Sequence, residues 1–244
     1  MSFSRPSRPR HRMIDRAAEI MEAAARSERG LTLTDFASQL GAPLSTIQSL
    51  VNGLTAAGFL VEARKRFELG PAPYLLGAMA GRPPVRSVNH NALQALHHDS
   101  GQPVVLAVYM SQAIYYIDTV GDLAQFEYLT DKVVSRPPFR SSCGRAILAT
   151  FDKRNLWDLI EAQPASEAEA VQSFLAELPD IRARELAYAP GLTGSRLHGV
   201  ATPVREDDRT VGAVAIIGAA SVLLGQKTRF EALLLQHRQN WPST

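Results

Sequence analysis

The sequence predicts an α+β protein in two parts: a small N-terminal winged helix-turn-helix and a larger C-terminal mixed domain. Three observations carry this. Between residues 13 and 57, apolar side chains recur at spacings of three and four in three successive segments. Two short strand candidates follow, joined by the tight basic turn Ala63-Arg64-Lys65. Beyond residue 85, strand candidates come as hairpins with helical segments between the groups, which is the α+β pattern.

Composition sets the frame. The chain has 244 residues, 45% hydrophobic and 20% charged, an ordinary globular balance that excludes disorder throughout. One cysteine excludes a disulfide framework and a cysteine-based zinc cluster, and fits a reducing compartment. The longest apolar run, 211–225, is short of the roughly 18 residues of a membrane span. Arginines 5, 8, 10 and 12 lie among prolines and serines with no apolar run behind them, so no secretory signal is read and the cytoplasm is expected. Residues 1–80 hold ten Lys/Arg against seven Asp/Glu, whereas the rest is close to neutral. A basic N-terminal third points weakly to nucleic acid.

Residues 1–12 are expected to form a basic disordered arm. Met13, Ala17, Ile20, Met21 and Ala24 then mark a first helix, ended by Gly30. Thr32 and Asp35 form a capping-box pattern that opens a second. After the turn Gly41-Ala42-Pro43, the third helix places Ile47, Leu50, Val51 and Leu54 on one stripe. Its opposite face shows Ser45, Gln48, Ser49 and Asn52, whose amides and hydroxyls suit base edges and phosphates. Asp35 is the only charged residue between Arg29 and Glu62, so phosphate contacts must come from the arm, from Arg64, Lys65 and Arg66, or from helix N-termini. The domains expected are 13–72 for the winged unit, 73–86 for a linker and 87–244 for the remainder.

In the second part, Ser87 is expected to cap a helix carrying Leu93 and Leu96. Strands are expected at 104–110, 113–120 and 125–130, helices at 141–150 and 166–184, a hairpin at 198–205 and 210–218, and a final helix near 226–239. The amides of Ser141, Ser142 and Cys143 would sit at a helix N-terminus that favours an anion, with Arg140, Arg196 and His198 near in sequence. Six histidines show no metal spacing, and there is no P-loop, GxGxxG or GxSxG, so no cofactor is read.

At this point the sequence resembles the IclR family of bacterial transcriptional regulators, from about residue 12 to 224. The stretches "GLTLTDFASQLGAPLSTIQSLVNGLTAAGFL" (30–60), "RPPFRSSCGRAILA" (136–149) and "GVATPVREDDRTVGAVAIIGAA" (199–220) carry it in matching order. The resemblance implies a winged helix-turn-helix and a GAF-like α/β effector-binding domain. It implies a dimer or tetramer on operator DNA, acting as repressor or activator of a catabolic operon. DNA contacts would come from Leu44, Ser45, Thr46, Gln48, Ser49 and Asn52, from Arg64, Lys65 and Arg66, and from Arg10 and Arg12.

Two departures stand out. The basic residue and the His-Arg pair usual in the family's recognition helix are here Leu44 and Gln48-Ser49. The family's polar pocket positions fall on Ala189, Gly199, Ala215 and Ile217, with Ser142 and Cys143 in the pocket loop and Tyr128 and Arg136 across from them. A more apolar wall implies a small aromatic or otherwise hydrophobic acid as effector. Two alternatives stay open at the level of sequence: an enzyme using Cys143 with His198 as base, and a sensory module with weakened DNA readout.

Overall fold

The structure is a computed structural model that describes residues 11–122, 135–190 and 197–242. Its chain divides into two compact units, one ending at Pro83 and the other starting at Pro84.

The first unit is built from α1 (Arg12–Arg26), α2 (Leu33–Leu40), α3 (Leu44–Ala56), β1 (Leu60–Ala63), β2 (Arg66–Leu69) and α4 (Ala72–Ala80). Ile20, Ala24, Phe36, Ile47, Val51, Leu60 and Phe67 form its core, one or two from each of the first five elements. The capping box forms as expected. Thr32 N–H donates to Asp35 at 2.8 Å, and Asp35 N–H donates to Thr32 Oγ1 at 3.2 Å. Gly30 is required where it stands: its φ is +68°, and a Cβ would meet the backbone oxygen of Phe67 at 3.2 Å. Residues 74–80, read only as an apolar segment, fold into α4, which buries none of its side chains. Tyr74 and Met79 are 78% and 82% exposed.

The second unit contains α5 (His90–Ser100), β3 (Val104–Met110), β4 (Ala113–Val120), β5 (Ser135–Arg136), α6 (Ser142–Leu148), α7 (Lys153–Glu161), α8 (Ala168–Arg184), β6 (Ala187–Ala189), β7 (Leu197–Glu206), β8 (Arg209–Ala219), α9 (Ala220–Gly225) and α10 (Lys227–Gln239). One six-stranded antiparallel sheet runs in the order β5-β4-β3-β8-β7-β6. Period-2 alternation splits its side chains between two cores. Val105, Ala107, Ala187, Ala201, Ala213, Ala215 and Ile217 pack with α6, α7 and α8. Val104, Leu106, Val200, Val204, Val214 and Ile216 pack with α5 and α10. The unit is therefore a helix–sheet–helix sandwich.

Two-residue turns join the β1–β2, β3–β4 and β7–β8 hairpins. Arg64-Lys65, Ser111-Gln112 and Asp207-Asp208 all have positive φ at both positions, the type I′ geometry that matches strand twist.

Several expectations need correction. Ser87 does not cap α5; Asn89 does, accepting from Ala92 N–H. Ser87 is buried and serves Glu206 instead, which turns inward beside the β7–β8 turn. Glu206 Oε1 accepts from Arg86 N–H (2.6 Å), Ser87 N–H (2.7 Å) and the Ser87 hydroxyl (3.0 Å), while Oε2 accepts from Arg86 Nε (3.2 Å). The helix expected at 141–150 is the seven-residue α6. Helix α7 was missed, although Asp152 caps it by accepting from Asn155 N–H, and Leu156 and Leu159 supply its buried side. The expected strand at 125–130 and residues 1–10 of the expected arm at 1–12 lie outside the described residues, and the end of that arm is ordered, with His11 before α1 and Arg12 as its first residue. No described helix is long and apolar enough to cross a membrane.

Candidate DNA interface and effector site

Helix α3 buries Ile47 and Val51 and leaves Leu44, Ser45, Gln48, Ser49 and Asn52 exposed. Thr46 is half-buried and stands at the margin of that face. Leu44, Gln48 and Asn52 are spaced by four and form one row; Ser45 and Ser49 form the next. At the wing tip Arg64 and Lys65 are exposed. Arg66 differs from them. Its Nη1 donates to the Gly30 carbonyl at 2.9 Å and lies 3.8 Å from the Asp35 carboxylate. Arg66 thus braces β2 against the entry to α2. Hydrogen bonds from Thr32, first backbone and then hydroxyl, hold the Asp35 carboxyl below its ordinary range, and Arg66 adds to this. Arg12 begins α1 in an exposed position; Arg10 is outside the described residues.

In the second unit, register brings four predicted pocket residues together. Ala189 pairs with Gly199, and Gly199 with Ile217, so the three form a row across β6, β7 and β8. Ala215 lies in the next row, between Ala201 and Val105. All four face the side covered by α6. Against this wall stands the first turn of α6, where Ser142 and Cys143 are buried. A Cβ on Gly199 would lie 2.4 Å from Ser142 Oγ, so the glycine makes room for that hydroxyl. Gly144 has the same role toward the preceding loop, since its Cβ would meet the Pro138 carbonyl at 2.0 Å.

Three polar groups meet at the sheet end of this site. The Tyr116 hydroxyl is hydrogen-bonded with Ser141 and Arg136. Burial pushes the phenol well above its ordinary pKa, so the hydroxyl stays protonated. Tyr116 was missed in the sequence. A register shift between Leu106 and Ala107 opposite sets Ile117 out of the ladder, so counting by two along β4 misassigns faces.

Other candidates are placed elsewhere. Ser141 caps α6 by accepting from Gly144 N–H at 3.3 Å, and two turns of helix give little dipole for an anion. Arg140 is committed to Glu167, with Nε 2.9 Å from both carboxylate oxygens. His198 lies on the opposite face of the sheet from Cys143: its β8 partner is Gly218, whose Cβ would meet Leu223 of α9. There His198 bonds the Tyr188 hydroxyl, and Lys227 of α10 sits 4.9 Å above the Tyr188 ring. Burial lowers the His198 pKa, which keeps the ring neutral near pH 7. Cys143 is fully buried and its thiol is pushed far above the ordinary range by burial. The Cys143–His198 enzyme is thereby overturned, because the sheet separates thiol from base and the thiolate is suppressed. Tyr128 and Arg196 lie outside the described residues. No group of three metal-capable side chains occurs among the described residues.

Residues 13–64 match the IclR helix-turn-helix domain, and residues 78–240 match the bacterial transcriptional regulator IclR C-terminal domain. The chain belongs to the IclR family of bacterial transcriptional regulators. It is 30% identical over 149 residues to the HTH-type transcriptional regulator TtgV of Pseudomonas putida, covering 59% of this chain and 56% of that one. It is 27% identical over 220 residues to the glycerol operon regulatory protein of Streptomyces coelicolor, covering 86% and 85%. An IclR-type regulator from Silicibacter sp. TM1040 superposes with a TM-score of 0.77 at 19% identity, over 95% of this chain and 97% of that one. An IclR homologue from Microbacterium hydrocarbonoxydans, complexed with 4-hydroxybenzoate, gives 0.62 at 17% identity, over 92% and 99%. This IclR-family chain is a DNA-binding, ligand-responsive transcriptional regulator and not an enzyme.

One buried ion in this IclR-family regulator had no sequence signal. Arg145 is 2% exposed, stacks 5.9 Å from the Phe174 ring and has its Nη2 3.0 Å from a Glu177 oxygen. That approach lacks hydrogen-bonding alignment, and Nε has no partner either. The charge is balanced by one half-exposed carboxylate and an aromatic face.

Proposed function

We propose that the chain controls a catabolic operon, with a small aromatic or otherwise hydrophobic organic acid as its effector. The carrying observation is the pairing of an apolar wall, Ala189-Gly199-Ile217 with Ala215, and a polar rim made by Tyr116, Arg136 and Ser141. A flat apolar body suits the wall, and a carboxylate suits the arginine and the hydroxyls of the rim. The 4-hydroxybenzoate on the Microbacterium homologue supports the ligand class, and the operon control of the Streptomyces relative supports the setting.

Operator DNA is the macromolecular partner, met by the exposed face of α3, by Arg64 and Lys65, and by Arg12. The active form is a homodimer or a tetramer. Helix α4 supports self-association, because a helix that leaves Tyr74, Leu75, Leu76 and Met79 in water lacks a partner within its own unit. Residues 73–86, which include most of α4, act as the linker and share the self-association with 87–244, which bind the effector.

Fluorescence anisotropy on the gene's own upstream DNA, with unrelated DNA as competitor, tests this reading. Specific binding that falls steeply with salt is expected, as is a shift in operator affinity on adding 4-hydroxybenzoate or a related acid. Indifference to salt overturns the DNA assignment. Response to small hydrophilic acids alone overturns the effector class.

A further inference from the structure

We propose that α3 reads A·T base pairs, with Gln48 and Asn52 each pairing with an adenine edge and Leu44 packing on a thymine methyl. This rests on α3 being the helix that enters the major groove.

Leu44, Gln48 and Asn52 form one exposed row, i, i+4 and i+8. Successive members are about 6 Å apart along the axis, close to two base-pair steps. An amide side chain fits adenine in two bonds: its oxygen accepts from N6–H, and its NH₂ donates to N7. Guanine is best met by a charged fork that donates to both O6 and N7. The α3 face carries no Arg or Lys. The chain's nearest cations in sequence are Arg29, before α2, and Arg64 and Lys65 at the wing tip. Leu44 is 49% exposed at the start of the helix, where recognition helices touch base edges. A large apolar residue that leaves half its surface in water there matches the one apolar group in the groove, the thymine methyl.

A second observation concerns how deeply the helix seats. Gly53 continues the Ser45–Ser49 row, and a Cβ there would meet nothing within 4 Å. Its φ is ordinary and glycine weakens a helix interior relative to alanine, so the fold does not ask for it. An absent side chain beside Gln48 and Asn52 lets the helix backbone approach the groove wall closely.

The test uses the full-length protein on a random-sequence duplex pool at about 0.1 M salt, followed by anisotropy on an enriched duplex carrying modified bases. A·T pairs are expected at the positions the selection fixes. Replacing adenine there with 7-deazaadenine removes the N7 acceptor, one of the pair's two bonds, and is expected to weaken binding roughly 2- to 13-fold. Deoxyuridine for thymine removes the methyl and is expected to cost about fourfold. Gln48→Ala and Asn52→Ala should each abolish the 7-deazaadenine penalty at one position only, and Gly53→Ala should lower affinity while the helix is retained. Enrichment of G·C at those positions, with sensitivity to 7-deazaguanine, overturns this inference and leaves the regulator reading standing. Enrichment of no sequence overturns both.

Discussion

Glu206→Gln tests the most densely bonded side chain of the second unit. Glu206 is 6% exposed and accepts four hydrogen bonds, three on Oε1 and one on Oε2. Glutamine keeps one oxygen for the backbone donors of Arg86 and Ser87. It turns an NH₂ toward Arg86 Nε and removes the charge that strengthens every bond. Bonds to a charged acceptor contribute about 1.5–3 kcal/mol and neutral ones about 0.5–1.5. With Arg86 partly in water, the expected loss is about 2 kcal/mol. Both tryptophans, Trp157 and Trp241, lie in the same unit as Glu206, so tryptophan fluorescence in urea follows that unit alone. At an m-value of about 2 kcal/mol per M, the midpoint should fall by roughly 1 M. Acid supplies the control. Burial raises the Glu206 carboxyl, but the bonds from Ser87 and Arg86 outweigh it and hold the folded pKa below the ordinary value. The stabilisation is therefore full above the unfolded value of about 4.3 and is lost as pH falls through the lower folded value. Wild type and variant should differ by a constant amount from pH 6 to 8 and converge only in the acid range. Equal midpoints at pH 7, or a gap that widens on acidification, would refute the reasoning.

Four further outcomes follow from the same structure. Gly144→Ala forces a methyl onto the Pro138 carbonyl and should destabilise the second unit by about 1–3 kcal/mol, read by the same fluorescence; an unchanged midpoint would mean the loop yields freely. Cys143, buried and held as a thiol, should resist Ellman's reagent in the native protein at pH 8 and react only as fast as the chain opens, so prompt labelling would contradict the placement. Arg64→Ala and Lys65→Ala should each reduce the salt slope of DNA binding by about 1 with stability unchanged, whereas Arg66→Ala should cost the first unit about 1 kcal/mol through the lost bond to Gly30, measured by hydrogen exchange. Glu177→Gln leaves the buried Arg145 guanidinium without a countercharge and should destabilise by about 1–3 kcal/mol, whereas Arg145→Met should be close to neutral in urea unfolding; the opposite ranking would show that the pair itself holds α6 to α8.

Local rules made the first unit legible. A capping box, a clean apolar stripe on α3 and a two-residue basic turn are all encoded within a few residues, and each forms where the chain spells it. The hairpins of the second unit were legible for the same reason, since period-2 alternation and turn residues are local signals. Helix α7, nine residues long, carries an Asp152 cap with Leu156 and Leu159 behind it but no reciprocal capping box of the kind that marks the eight-residue α2.

What a residue faces was decided by tertiary structure. Ser87 read as a helix cap until Glu206, 119 positions away, claimed it. Arg66 read as a third wing cation until the Gly30 carbonyl engaged it. His198 and Cys143 read as near neighbours of one pocket, yet a strand turns successive side chains to opposite faces, and register set them on opposite sides of the sheet. The sequence by itself determined the helix-turn-helix, the β3–β4 and β7–β8 hairpins and the long helices α8 and α10, because stripes, caps and turns are short-range, and its ordered motifs marked the family. Only the folded sheet decided which of the polar side chains meet, because pairing register and bulges join residues whose separation along the chain carries no signal.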